Sequence, residues 1–237
     1  MPEVADEIQT ADSRRRPQPE EGPLTVIYED QWILVVNKPP GLVVHPTYKN
    51  SSGTLLNAVL WRVRDRVGVQ PGILTRLDKD TSGLVVIALA PDAHACMQKD
   101  AAAGRTRKHY LALVHGSPEP PQGRIVLALA RDPTDRRRVI VTPGGAPCET
   151  RYDVVSTHDA QSMVRCEPIT GRTHQIRVHL AALGCPILGD QVYGIPHPRL
   201  ARQALHAWRV TLPHPTTREP LEFEAPLPED MRAAAGL

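Results

Sequence analysis

Arg76-Leu77-Asp78-Lys79-Asp80-Thr81-Ser82-Gly83 runs directly into Leu84-Val85-Val86-Ile87-Ala88-Leu89. The second half is a short, unbroken apolar run and reads as a buried strand. The first half packs acidic, basic and hydroxyl residues tightly in front of it. A loop entering a rigid strand is where a carboxylate can be held still and yet meet a substrate. Two further polar clusters lie downstream: Arg107-Lys108-His109-Tyr110 and Gly171-Arg172-Thr173-His174-Gln175-Ile176-Arg177-Val178-His179.

Outward from this stretch, short β-rich runs dominate. They are Val26-Ile27-Tyr28, Ile33-Leu34-Val35-Val36, residues 110–114, Val139-Ile140-Val141, residues 152–155, residues 163–166 and Phe223. Gly, Pro and Asp punctuate them. Two segments read as helices. In residues 55–63 apolar positions recur at helical spacing, and Thr54 fits the N-cap. Residues 92–102 form the second, with Pro91 suited to a helix start. Strands and helices do not alternate regularly, which disfavours a doubly wound parallel sheet. The expected fold class is α+β around a mixed, mainly antiparallel sheet.

The chain has 237 residues, 41% hydrophobic and 23% charged, so a packed core is expected. No run is long and apolar enough to span a membrane, and no apolar secretion segment opens the chain. The four cysteines, Cys96, Cys148, Cys166 and Cys185, are widely spaced and form no Cys-x-x-Cys pair. Reduced thiols in a cytoplasmic protein are expected. The net charge of +2 is too small to announce a nucleic-acid partner, but residues 101–180 carry 12 Lys or Arg against 7 Asp or Glu. Arg105, Arg136, Arg137 and Arg138 belong to this basic middle, which is compatible with phosphate contacts or with a solvated face. Residues 1–23, with Pro17, Pro19, Pro23 and Arg14-Arg15-Arg16, are expected to be a disordered tail. The end after about Pro226 reads as similarly loose. One folded unit is expected over residues 24–237.

The chemistry-bearing residues each carry a bland reading beside a functional one. Asp78 is a nucleophile, a general base, a metal ligand or the cap of a turn with Thr81 and Ser82. Asp78 and Asp80 form an Asp-x-Asp pair that raises magnesium, yet no other acidic cluster lies near to complete a site. Read as a strand, residues 173–179 put Thr173, Gln175, Arg177 and His179 on one face. Arg177 then offers a fork to a carboxylate, in a site or in a structural salt bridge. A zinc reading of His174 and His179 fails on their spacing. Tyr110, scarce among few aromatics, either stacks on a base beside Arg107 and Lys108 or packs into the core. So few rings argue against an RRM-type RNA-binding sheet. The proline-stiffened segment 37–46 is a cleft wall or a rigid connection.

Six segments together resemble the RluA-type RNA pseudouridine synthase family. They are Val36-Asn37-Lys38-Pro39-Pro40-Gly41-Leu42, Arg76 to Leu84, Lys108-His109-Tyr110, Pro168 to His179, Pro186-Ile187-Leu188-Gly189-Asp190 and Leu205-His206-Ala207, in family order. The resemblance runs from about Leu24 to Pro226. It implies isomerisation of uridine to pseudouridine in ribosomal or transfer RNA, with no cofactor and no metal. It implies a long bent sheet with the active-site cleft across its middle. It places the catalytic nucleophile at Asp78, a base-contacting tyrosine implicated in proton removal at Tyr110, and the partner of the nucleophile at Arg177. Arg76 is implied to hold the place of the flipped-out nucleotide, and Arg107, Lys108 and Arg172 are further expected RNA contacts.

Such chemistry suits these residue types. A carboxylate can trap ribose or ring while the glycosidic bond is broken, and a nearby cation keeps it ionised and aimed. Flipping the target out of its stack costs a few kcal/mol, which phosphate contacts offset. Two departures stand out. Thr75 replaces the His that many members carry before Arg-Leu-Asp, and residues 1–23 cannot form the small N-terminal RNA-binding domain of several members. The chain therefore reads as a short form, the catalytic domain alone, and as a monomer. Two rivals remain: an inactive RNA-binding module on the same fold, and a metal-dependent phosphodiesterase built on Asp78 and Asp80.

Overall fold

A computed structural model describes residues 17–48, 50–135 and 137–237. Arg14-Arg15-Arg16 of the expected tail and Arg136 of the basic middle lie outside the described residues. The elements run β1 (Thr25–Glu29), β2 (Ile33–Lys38), α1 (Leu55–Arg62), β3 (Gly72–Ile73), β4 (Ser82–Ala88), α2 (Pro91–Ala102), β5 (Arg107–His115) and β6 (Gln122–Arg131). They continue with β7 (Val139–Val141), β8 (Ala146–His158), β9 (Gln161–Pro168), α3 (Gln175–Ala182), β10 (Leu205–Pro213), β11 (Pro220–Glu224) and α4 (Glu229–Ala235).

The strands form one sheet in the order β1-β2-β4-β10-β5-β9-β8-β6-β7, with β3 on β4 and β11 on β10. Every pairing is antiparallel except β4 with β10. The fold is therefore α+β on a mixed, mainly antiparallel sheet, as expected. β4 explains the apolar run that announced it. Val85 and Ile87 point into one core with Leu34, Val36 and α1 residues Leu55 and Val59. Leu84, Val86 and Ala88 point to the other, with Ile33, Val35 and α2 residues Ala93 and Met97. A strand covered on both faces needs apolar residues at every position rather than every second one. Each Val, Leu, Ile or Met among them contributes about 1.5–3 kcal/mol when removed from water.

Both expected helices form. Thr54 caps α1 in a reciprocal box with Asn57, and Pro91 occupies the first turn of α2. Residues 17–23, assigned to the tail on composition, are tied down where described. Asn57 Nδ2 donates to the Gln18 carbonyl, and Glu20 N–H donates to the Asn57 carbonyl. The end after Pro226 is not loose either. It forms α4, and Met231 and Ala234 enter the main core. Its apolar stripe is only two residues wide, too narrow to register as a helical pattern. β6 and β10 carry no clear strand signal in the sequence, because residues 122–131 are half exposed and residues 205–213 mix Trp, Arg and His into the run.

Two close contacts join β4 to β10, and each carries a prediction. Gly83 has φ +110, and a Cβ there would lie 2.2 Å from the Ala207 carbonyl oxygen. Gly83→Ala should destabilise by at least about 3 kcal/mol, read by denaturant unfolding. His206, buried beside it, accepts from Ser82 Oγ at Nδ1 (2.9 Å) and donates from Nε2 to the Ala225 carbonyl (3.2 Å). Burial pushes its imidazole down to about 4. Between pH 6.5 and 4 the unfolded chain therefore binds a proton that the folded chain refuses. Stability should fall by up to about 3 kcal/mol across that window as pH drops, and His206→Gln should flatten the slope.

Candidate active site

Asp78 lies in the loop between β3 and β4, and that loop is held by its backbone. Lys38, fully buried at the end of β2, donates Nζ hydrogens to the carbonyls of Pro39 (2.8 Å), Leu42 (2.9 Å) and Lys79 (2.9 Å). Arg202 donates to the Asp80 carbonyl at 3.2 Å while its remaining edge forks onto Asp230 at 2.7 and 2.8 Å. Gln203 Nε2 donates to Thr81 Oγ1, and Thr81 N–H donates to the Asp78 carbonyl. Burial pushes the Lys38 ammonium down to about 7, against Asp80 and Asp78, which favour its charge. Thr75 accepts from Val86 N–H through Oγ1 at 2.9 Å and so completes the pairing of β4.

The Asp78 side chain meets α3. Arg177 Nη1 donates to Asp78 Oδ2 at 3.0 Å, while Nε and Nη2 fork onto Asp190 at 2.6 and 2.8 Å. The Asp190 side chain is fully buried and also accepts the amides of Val192 and Tyr193, at 2.9 and 3.2 Å. Burial pushes the Asp190 carboxyl up, but Arg177 and the two amides outweigh it and hold the group below its usual value. Burial also opposes the charge on Arg177; Asp190 and Asp78 outweigh that and raise the guanidinium above its usual range. Two carboxylates thus share one fork, and Arg177 and Asp190 hold each other in the charged form. Among the described residues no hydrogen bond reaches Asp78 Oδ1, which leaves that oxygen available to a substrate.

A cavity of about 300 Å³ opens over Asp78, lined in part by Thr75, Arg76, Lys108, Tyr110 and Arg172. That volume suits a single small group rather than a duplex. Tyr110 forms part of its wall, and its hydroxyl has no hydrogen-bond partner among the described residues. Burial, with the Asp78 charge adding to it, pushes the phenol well above its usual value, so it stays protonated at neutral pH. Burial pushes the Lys108 ammonium down. Arg76 and Arg172 are exposed, and their side chains make no ion pair among the described residues.

The structure thus brings Asp78, Tyr110 and Arg177 together, with Arg76, Lys108 and Arg172 around them. It does not bring Arg107. Strand alternation turns Lys108 and Tyr110 to the cavity and Arg107 to the opposite face. There Arg107 forks onto Glu167 at 2.7 and 3.1 Å, in a separate hollow with Arg124, Arg151 and Arg165. The expected strand at residues 173–179 is also corrected: Gln175–Ala182 is helical. Ile176 and Leu180, one turn apart, enter the main core, while Val178 packs with Leu129 and Val139. Burial on several sides of a short helix erased the polar face that would have betrayed its period. His179 accordingly points to Thr150 Oγ1 at 2.9 Å, away from His174. The described residues hold no cluster of three His, Cys, Asp or Glu around Asp78 and Asp80. The 37–46 segment does not line the cavity; it acts as a connection, through Lys38.

Asp190, Lys38, Arg202 and Tyr193 join the site only in the structure. An acid directly after Ile187-Leu188-Gly189 was the available signal for Asp190, since a carboxylate in an apolar run needs a buried partner.

The sheet has the fold of the pseudouridine synthases. The human protein described as RNA pseudouridylate synthase domain containing 1 superposes with a TM-score of 0.70 at 29% identity, over 87% of this chain and 86% of that one. The model of the RNA pseudouridylate synthase family matches residues 32–182, and the chain belongs to that family. The ribosomal large subunit pseudouridine synthase D of Nitrosomonas europaea is 42% identical over 226 residues, 91% of this chain and 65% of that protein. An uncharacterised RNA pseudouridine synthase of Chloroflexus aurantiacus is 48% identical over 201 residues, 83% of this chain and 63% of that protein. This chain thus spans just under two thirds of the length of these two relatives.

Asp190→Ala should cost about 3–5 kcal/mol of stability, because it strands a buried guanidinium on one half-exposed partner. Asp190→Asn should cost less, since it keeps one acceptor. Equal unfolding midpoints for wild type and Asp190→Ala would contradict the assigned role.

Proposed function

We propose that the chain isomerises uridine to pseudouridine within RNA, with Asp78 as nucleophile. The observation that carries this reading is the one-sided hold on Asp78. Arg177 occupies Oδ2, no described residue hydrogen-bonds Oδ1, and Asp78 lines a cavity walled by Tyr110. In the proposed reaction the bond from C1′ to N1 breaks and the uracil leaves with its electron pair while Asp78 traps the sugar or the ring. The base turns, and C5 bonds to C1′. The C5 proton passes to solvent, N1 gains a proton, and Asp78 returns as a carboxylate. Atoms and charge balance without a redox partner, so neither cofactor nor metal enters the scheme.

Tyr110, held protonated, supplies a ring face for the uracil and an O–H donor rather than a phenolate base. The target must leave its stack, at a cost of a few kcal/mol, least in loops and single strands. Arg76, Arg172 and Lys108 around the mouth offset this through phosphate contacts. The name of the Nitrosomonas relative favours large-subunit ribosomal RNA over transfer RNA as the substrate class. A cytoplasmic monomer suits that work.

Asp78→Asn should abolish tritium release from RNA labelled at C5 of uridine while leaving RNA affinity and thermal midpoint nearly unchanged. Wild-type release should persist in chelator. A variant that keeps a tenth of the wild-type rate would exclude Asp78 as nucleophile. No release by wild type from any RNA pool would favour the inactive binding module, and release lost in chelator would favour the metal-dependent reading.

A further inference from the structure

Asp78 has a second neighbour. His174 Nε2 lies 3.7 Å from Asp78 Oδ2, the same oxygen that Arg177 holds. At its other end, His174 Nδ1 lies 2.9 Å from the Tyr193 hydroxyl. The Val139 amide donates to that hydroxyl at 2.6 Å. The Tyr193 oxygen is thus already accepting, and its hydrogen is available to Nδ1. With Nδ1 accepting, the imidazole proton sits on Nε2, facing Asp78. The two rings meet edge to face at 5.6 Å, and the Arg177 guanidinium lies 5.1 Å from the Tyr193 ring centre. His174 itself adopts φ 55, a left-handed conformation that a non-glycine residue enters at a cost of about 1–2 kcal/mol.

The geometry points to a second arm on Asp78: Tyr193 sets the tautomer of His174, and His174 turns its Nε2–H toward Oδ2 as a positioning residue for the nucleophile. This rests on the isomerase reading given above. Both arms spring from one short segment, because Asp190 anchors Arg177 and also accepts the Tyr193 amide. The distance of 3.7 Å is longer than a hydrogen bond, and such contacts tighten when substrate fills a site.

A neutral donor suits this place better than a second cation. Arg177 already sets one positive charge against Oδ2, and a second would draw further on the electron density that the nucleophile must supply. Burial, with Arg177 adding to it and Asp78 and Asp190 opposing, pushes the His174 imidazole below its usual value, toward the neutral form. If Oδ1 carries the sugar, its release returns the electron pair of the C1′–O bond to the carboxylate. Two donors on Oδ2 stabilise that departing charge, so the arm should act on kcat rather than on RNA binding.

The test is steady-state tritium release, with RNA affinity and thermal midpoint measured beside it. It compares wild type, Tyr193→Phe, His174→Leu and His174→Gln, whose amide can present an N–H toward Oδ2. Tyr193→Phe and His174→Leu should each lower kcat about tenfold or more with KM within about twofold, and His174→Gln should recover a substantial part of the loss. No release by wild type would overturn the isomerase reading itself. Active wild type with both Tyr193→Phe and His174→Leu at wild-type kcat would overturn the second arm alone. A kcat loss that His174→Gln does not relieve, or a loss confined to KM, would overturn the donor role.

Discussion

A guanidinium buried beneath the sheet's cleft governs the site. Arg177 is 5% exposed, and a charge so far from solvent needs carboxylate partners. Asp190 takes two of its N–H groups and Asp78 takes one. That single requirement ties three distant parts of the chain together: the loop before β4, helix α3, and the turn at residues 189–194. It also determines which face of Asp78 is left for a substrate. A carboxylate held through both oxygens would be a structural ion pair. One held through Oδ2 alone is aimed and still able to react.

The loop that carries Asp78 is held by its carbonyls rather than by its side chains. Lys38 and Arg202 reach the carbonyl oxygens of Lys79 and Asp80. Backbone clamps of this kind restrain a nucleophile without consuming it, and the cations involved sit under the loop instead of in the cavity. Gly83 then lets β4 approach β10 where any side chain would collide with Ala207. Rigid support and an open reactive oxygen are thus separate tasks given to separate residues.

Much of this could be read from the chain. The run at residues 84–89 announced a doubly covered strand, Thr54 and Pro91 marked two helix starts, and Asp78, Tyr110 and Arg177 were identified as one site by motif order. What escaped did so for physical reasons. Helix α3 buries Gln175, Ile176, Arg177, Val178, His179 and Leu180, so no exposed stripe reveals its period. Arg107 stands beside Lys108 in sequence, and only the folded sheet shows that the Lys108 and Tyr110 face of β5 is the one that meets the cavity. Asp190, Tyr193 and Lys38 act through partners 13, 19 and 41 positions away, and such pairing has no local signature.

The most direct measurement is a crystal structure of Asp78→Asn bound to a short uridine-containing RNA. The expected result is a uridine turned out of its stack with its ring against Tyr110. Its C1′ should lie nearest the side-chain atom of residue 78 that faces away from Arg177. A uridine seated outside the cavity, or a sugar approaching from the Arg177 side, would contradict a nucleophile held by one oxygen and reacting through the other.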